Sequence, residues 1–541
     1  MGQFSLNPIS ILTHLIEYSI MLRLFFLSLL IIFIWGATVI YRELPQNVVL
    51  ANGTHLAWQD CTFFDVDLSW EVKTGQWVFC GFLTPANQPA GLSEPLRLPV
   101  VWLKRPFWYW GGEFSPMLYL AGGPGGAAYL ELGEYWRKWQ GNYLDARHDL
   151  ILFDQRGSGL SQPKISCTEW ESSLLAHLDK LSDPAQEAQQ IQQIFAECYQ
   201  HFLAQGIDLS GFNTKESTQD VADLMAAIGG DQWNLYGSSY GTRLALSVVR
   251  AHSDKLRSVV FDSVYPPEKN AILALPWLWE RLLDNLLSEC EIQHHCREAF
   301  PDLRVAFAEA LARLQFEPFS LLLPLQLQDS EELELMPVML DAHRFLHVLF
   351  YAFYSRDLIV ELPAMIEGAR QGRSDALMLP ASLFFSSLLD GSLNYAVYLS
   401  VDCADTDRAI ADADVMARQG HFAQEFPVLK QFLDVQWQYH WCHVWPVRDV
   451  GAEWRQVVKS EVPGLFLAGQ LDPVTPSVWA REAASHFTRG YFFEFAHASH
   501  AVLDTEPCAA ELLKSFLRDP HQSPDAACVN EARALEFTVL E

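Results

Sequence analysis

From residue 100 onward the chain alternates short, wholly apolar runs with amphipathic stretches of helical period, and few folds accommodate that rhythm. "PMLYL" (116–120), "DLILFD" (149–154), "WNLY" (233–236), "LRSVVFD" (256–262), "GLFLAGQ" (464–470) and "GYFFEF" (490–495) read as buried strands. "STQDVADLMAAIG", with an N-cap-like Ser217 and an end at Gly229-Gly230, reads as a helix, and so does "TRLALSVVRAH" after Gly241. Strands alternating with helices imply a mostly parallel sheet with helices on both faces, an α/β fold. The rhythm breaks between about residue 270 and residue 450, where Leu, Phe and Trp recur at helical spacing, as in "RFLHVLFYAFYSRDLIVELPAMIEGARQG". That stretch is expected to be a large helical insertion, with "DSEELE" (329–334) as a solvated loop inside it. With 541 residues the chain exceeds one ordinary core. The expected division is a leader over 1–45, a first part of the sheet domain over 46–269, the insertion over 270–450 and the rest of the sheet domain over 451–541.

The leader is set apart by "LFFLSLLIIFIWGATVIY", Leu24 to Tyr41, which carries no charge between Arg23 and Arg42. It is long enough to span a bilayer and equally suits the apolar region of a signal peptide, so residues 22–41 are expected to export the chain or to anchor it. The ten cysteines, Cys61, Cys80, Cys167, Cys198, Cys290, Cys296, Cys403, Cys442, Cys508 and Cys528, fit export: their number is even, and none lies in a CxxC or a zinc-spaced cluster. Sequence alone does not fix their connectivity. The net charge of −29 argues against nucleic acid as a partner.

The chemistry centres on "NLYGSSYGT" (234–242), where Gly237-x-Ser239-x-Gly241 falls between a predicted strand and a predicted helix. That is the context of a nucleophile elbow, a sharp turn that needs small residues on either side and lifts a serine above the sheet. The spacing selects Ser239 over Ser238. A serine hydroxyl needs a base, and the base needs an orienting carboxylate. "LFLAGQLDPVTP" puts Asp472 after a strand, and "FFEFAHASHAVL" puts His500 after the next, leaving room for one helix and one strand between them. Asp262, after "SVVF", is the rival acid and His497 the rival base; His500 is preferred because it lies further into its loop. "YLAGGPGGAAYLE", from Tyr119, is the remaining motif. It lacks the GxxxxGK[ST] spacing of a phosphate cradle. It stands about 115 residues before Ser239, where a loop facing a developing oxyanion belongs. Gly122 and Gly123 are the expected backbone donors there, with the N–H of Tyr240 as the second donor.

Together these stretches resemble the α/β-hydrolase peptidases of the proline iminopeptidase and tripeptidyl aminopeptidase family, in its exported branch. "AGGPGG" is similar to that family's GGPG loop, with Ala121 where some members have His; "FDQRGSGLSQP" (153–163) is similar to its DQRGxGxS segment at Asp154, Gln155 and Arg156. "GSSYGT" matches its G-x-S-Y-G-T elbow, and "AGQLDPVTP" resembles the acid loop of the tripeptidyl aminopeptidases. The resemblance runs from about Cys61 to Cys528; it departs at "AHASH", where the family often has a Gly-rich G-x-G-H. It implies an α/β-hydrolase fold with a large helical cap, and a serine aminopeptidase that releases short N-terminal units from peptides with a free N-terminus, without metal or organic cofactor. It also makes Asp405, in "VDCADTD", a candidate for the substrate's amine, because that cap segment looks similar in the exported branch. Export, the even count and the resemblance around several cysteines lead to mostly local bridges: Cys61–Cys80, Cys167–Cys198, Cys290–Cys296, Cys403–Cys442 and Cys508–Cys528. An esterase or lipase-like enzyme on the same fold, or a non-catalytic membrane-tethered binding protein, is the alternative.

Overall fold

The apolar runs are strands, and they lie side by side. The computed structural model describes residues 27–28, 45–61, 78–105, 115–128, 148–181, 183–328, 330, 332–406, 421–434, 437–531 and 535–539. Its strands are β1 (Val48–Val49), β2 (His55–Gln59), β3 (Val78–Thr84), β4 (Leu98–Leu103), β5 (Met117–Leu120), β6 (Leu150–Phe153), β7 (Trp233–Ser238), β8 (Leu256–Asp262), β9 (Phe319–Leu325), β10 (Glu334–Leu340), β11 (Gly464–Gly469) and β12 (Gly490–Phe495). Ten of them form one sheet in the order β1-β2-β3-β4-β6-β5-β7-β8-β11-β12. From β6 to β12 every neighbouring pair is parallel, and β1 to β4 extend that sheet as antiparallel strands.

The parallel strands read as continuous apolar runs because each face has its own core. Along β5, Leu118 and Leu120 enter one cluster, with Ile151, Leu235, Phe261 and Phe466. Met117 and Tyr119 enter the other, with Leu152, Tyr236, Val260 and Leu467. The period of two is intact, but both sides are covered, so apolar and polar positions do not alternate.

The helix predicted from Ser217 begins earlier, at Thr214, and ends at Ile228. Asn213 is extended, and its side-chain oxygen accepts the Glu216 N–H at 2.9 Å, so the cap forms one turn before Ser217, which is buried inside the helix.

Between β8 and β11 a third apolar cluster gathers Trp279, Phe307, Leu311, Phe345, Leu349 and Phe432 from successive helices. This stretch also contains an antiparallel hairpin, β9 with β10, where the sequence pattern predicts helix. In β9, Leu321, Leu323 and Leu325 point inward while Leu322 is exposed, and that outward leucine hides the alternation. The helix Tyr395–Asp405 packs elsewhere: Ala396, Leu399 and Cys403 join the sheet's own core, with Trp441 and Trp445.

All five expected disulfides are present: Cys61–Cys80, Cys167–Cys198, Cys290–Cys296, Cys403–Cys442 and Cys508–Cys528. Such a set belongs to a chain that matures in an oxidising compartment outside the cytosol. Residues Asn47–Glu541 make one unit and Met1–Gln46 another. The expected leader at residues 22–41 lies outside the described residues, apart from Leu27 and Ser28. Among the described residues, no helix is long and apolar enough to cross a membrane.

Candidate active site

β7 ends at Ser238, and the helix Tyr240–His252 begins two residues later, so Ser239 must turn the chain alone. It does so with φ +55° and ψ −124°, a left-handed geometry that a non-glycine residue adopts only under constraint. The flanking glycines make that possible. A Cβ on Gly241 would stand 1.9 Å from the Leu120 carbonyl oxygen, and one on Gly237 would stand 2.4 Å from that of Gly241. The Ser239 N–H donates to the main-chain oxygen of Asp262 at 2.9 Å, and the Thr242 hydroxyl donates to the Ser239 carbonyl at 2.6 Å.

The glycine loop leaves β5 directly beside this turn. A Cβ on Gly122 would lie 3.0 Å from the Ser239 Cβ and 3.6 Å from its Oγ. Gly123 and Gly125 have φ of +106° and +93°. The Gln155 side chain donates to the Ala121 carbonyl at 2.9 Å and so fixes the entry to the loop. Its neighbours in the DQRG segment act as struts: Arg156 is buried in an ion pair with Asp220, and Asp154 accepts the Leu160 N–H at 2.8 Å.

Asp472 and His500 meet across the C-terminal ends of β11 and β12. The His500 Nδ1 lies 2.8 Å from Asp472 Oδ2. Asp472 is fully buried and its oxygens are occupied: Oδ1 accepts the N–H groups of Val474 at 2.9 Å and Thr475 at 2.7 Å, and Oδ2 also accepts the Thr475 hydroxyl at 2.6 Å. A carboxylate accepts only, so the proton between the pair rests on Nδ1, and Nε2 is left as the basic nitrogen. Burial opposes the charge on Asp472, but His500 and the Thr475 hydrogen bonds outweigh it and hold the pKa below the ordinary value. Burial likewise opposes a charged His500, and Asp472 outweighs it, so the imidazole pKa is raised. The Tyr354 ring packs edge-on against His500, with centroids 5.2 Å apart. The Arg281 guanidinium donates to the Asp472 carbonyl and so ties the helix Ala271–Ile292 to the acid turn.

The rival residues sit differently. The Asp262 carboxylate faces main chain, accepting the N–H groups of Val502 at 2.8 Å and Leu503 at 2.9 Å. Its burial pushes the pKa up to about 7, against those two hydrogen bonds. His497 is half-buried, three residues before His500, and the Asp472 carboxylate pairs with the His500 ring.

Tyr240 and Asp405 are linked through Thr214. The Tyr240 hydroxyl and the Thr214 Oγ1 are 2.6 Å apart, and the Thr214 hydroxyl donates to the Asp405 carboxylate. Asp405 is buried and 3.9 Å from the Arg243 guanidinium. Its oxygens thus engage the chain's own groups, and the geometry adds no support to a direct contact with a substrate amine.

Sequence reasoning missed Thr475 and the contacts of Asp262 with the segment after His500. The signal for Thr475 was present in "DPVT", where a hydroxyl three residues after an aspartate can close a turn on its carboxylate.

Two family models match the chain: that of the alpha/beta hydrolase fold over residues 115–303, and that of the TAP-like proteins over residues 430–528. The hydrolase YuaR of Escherichia coli is 24% identical over 408 residues, covering 72% of this chain and 75% of that one. The serine protease Hip1 of Mycobacterium tuberculosis is 22% identical over 408 residues, covering 70% and 74%. The tripeptidyl aminopeptidase of Streptomyces lividans is 27% identical over 225 residues, covering 40% and 39%. The first model spans the glycine loop and Ser239, the second spans Asp472 and His500, and the stretch they leave between them falls in the insertion. The two models thus cover the stretches that build this end of the sheet, and the chain has the α/β-hydrolase fold and is similar in sequence to a serine protease and a tripeptidyl aminopeptidase.

Proposed function

We propose that the chain is an exported serine aminopeptidase, acting in the periplasm or outside the cell, that releases short N-terminal units from peptides through an acyl-enzyme. The observation that carries this reading is the Asp472–His500 pair at 2.8 Å, its carboxylate fully buried, at the same end of the strands as Ser239 in its strained turn. The Ser239 hydroxyl attacks the scissile carbonyl, and His500 Nε2 takes its proton and then delivers it to the leaving amine. Asp472 holds the ring and offsets the imidazolium charge. The N–H groups of the Gly122-Gly123 loop and of Tyr240 receive the oxyanion at the start of a helix, where the backbone dipoles favour negative charge. A water molecule, deprotonated by His500, then releases the acyl unit and regenerates Ser239. Asp405 supports the site through Thr214, which fixes the Tyr240 ring next to the nucleophile.

The relatives named for removing N-terminal units support an exopeptidase, in which the insertion closes the acyl side of the site. A free amine held there would need a carboxylate, because an unpaired buried charge is costly. Matched peptides with free and acetylated N-termini, followed by mass spectrometry, test this. Cleavage of the free peptides with loss of short N-terminal fragments, and little cleavage of the acetylated ones, is expected. Equal cleavage of both overturns the exopeptidase reading and leaves an endopeptidase; hydrolysis of simple esters with neither peptide cut points to an esterase.

A further inference from the structure

Asp262 links the turn at Ser239 to the segment that follows His500. It is the last residue of β8, fully buried, and its main-chain oxygen accepts the Ser239 N–H at 2.9 Å. Its carboxylate reaches the other way, to the segment that follows His500. There Oδ1 accepts the Val502 N–H at 2.8 Å, and Oδ2 accepts the Leu503 N–H at 2.9 Å. The next residue continues the pattern: the Ser263 hydroxyl oxygen accepts the Ala501 N–H at 2.9 Å. Three consecutive N–H groups immediately after His500 are thus held by two consecutive residues at the end of β8.

The backbone geometry gathers at the same place. Among the described residues, the non-glycine residues with positive φ are Ser239 at 55°, Ser263 at 60° and Ala501 at 56°. Each is joined by hydrogen bond or by sequence to Asp262 or Ser263. Strain of this kind persists only where the surroundings over-determine the chain, and it collects at working sites. Asp472 fixes the His500 ring, but nothing in that pairing fixes the ring's position relative to β7. Asp262 supplies the missing relation, since one residue holds the nucleophile's turn by its carbonyl and the histidine's loop by its carboxylate.

We propose that Asp262, with Ser263, is a positioning residue that sets the His500 imidazole against Ser239. It makes no contact with substrate. Its effect is on the rate of proton transfer and not on binding, because a displacement of about 1 Å at a reacting pair costs on the order of 10²-fold in rate. This inference rests on the reading of His500 as the base of Ser239.

The test compares Asp262→Asn, Ser263→Ala, Ser239→Ala and His500→Ala in the full chain. Asp262→Asn keeps size but puts an amide donor against one of the two N–H groups. Ser263→Ala removes one acceptor and leaves the carboxylate. Three quantities are measured for each: kcat and KM on a peptide, the second-order rate of labelling by a fluorophosphonate, and the downfield proton resonance of the His500 Nδ1–H. For folded Asp262→Asn we expect kcat and the labelling rate to fall together by about 10–10²-fold, with KM changed less than about twofold. Ser263→Ala should show the same pattern with a smaller fall, and the resonance should move or broaden in both. A residue that only stabilised the fold would lower the melting temperature and leave all three quantities alone, and that result overturns the proposal. If Asp262→Asn does not accumulate folded, Ser263→Ala decides by the same criteria. Labelling retained in Ser239→Ala or His500→Ala overturns the underlying reading. Labelling lost there but unchanged in Asp262→Asn and Ser263→Ala overturns this inference alone.

Discussion

Gly122 and Ser239 lie so close that a Cβ on the glycine would stand 3.0 Å from the serine's own Cβ. The glycine loop and the Ser239 turn therefore form one packed unit, and the space between them is set by the missing side chain. Gly122→Ala should push the loop away from Ser239 and misplace the oxyanion donors. We expect kcat to fall on the order of 10²-fold with little loss of stability, since the φ of Gly122 is one that alanine accepts. Steady-state kinetics on one peptide would check this, and a kcat within twofold of wild type would contradict it.

Thr475 gives both its N–H and its hydroxyl to Asp472, and its Oγ1 lies 3.4 Å from the His500 Nδ1. Thr475→Val keeps the shape and removes the hydroxyl. The lost hydrogen bond to a buried carboxylate should cost about 1.5–3 kcal/mol of stability and loosen the histidine's partner. We expect kcat to fall about tenfold in Thr475→Val, and Thr475→Ser to recover most of it. Equal activity of all three would show that the hydroxyl is dispensable.

The pH profile follows from the pair's electrostatics. As the proposed base, His500 must be neutral to accept the Ser239 proton, and Asp472, outweighing burial, raises its pKa from the ordinary value of 6.5. Activity should therefore be lost as pH falls through that raised value, so the acid limb of kcat/KM has its midpoint above pH 6.5. Asp472→Asn withdraws the charge, should move the limb to lower pH, and should lower kcat roughly 10⁴-fold. A midpoint below pH 6.5 in the wild type would contradict the assignment.

The Cys403–Cys442 bridge ties the helix that ends at Asp405 to the segment bearing Trp441 and Trp445. Replacing both cysteines by serine should cost about 2–4 kcal/mol, checked by denaturant unfolding. Because Asp405 holds Thr214 and Thr214 holds Tyr240, activity should fall as well, before global unfolding. Peptide mapping without reductant should recover the five local bridges, and a scrambled set would contradict the fold described here.

Most of the six parallel strands were legible because burial on both faces leaves an apolar run; β8 and the part-buried edge strand β12 were delimited to the residue. Ser239 was legible because its turn demands glycines at fixed positions, and Asp472 and His500 because each follows a strand in the expected order. The strands before residue 104 were not singled out, since Gly81 and Pro99 interrupt runs that pairing with neighbours makes into strands. The hairpin was hidden by an exposed Leu322. The Asp262 contacts were illegible for a different reason: they join residues about 240 apart in the chain, and only the finished sheet edge brings them together. Asp405 shows the same limit, as its partners Thr214 and Arg243 come from other helices.

The central claim is that Ser239 is the nucleophile and His500 activates it. The most direct measurement is to react the protein with diisopropyl fluorophosphate, digest it, and locate the adduct by mass spectrometry. We predict one adduct, on Ser239, formed at least about 10³-fold more slowly in His500→Ala and absent in Ser239→Ala. An adduct on Ser238 or Ser263, or labelling of Ser239 at an unchanged rate in His500→Ala, would contradict the account.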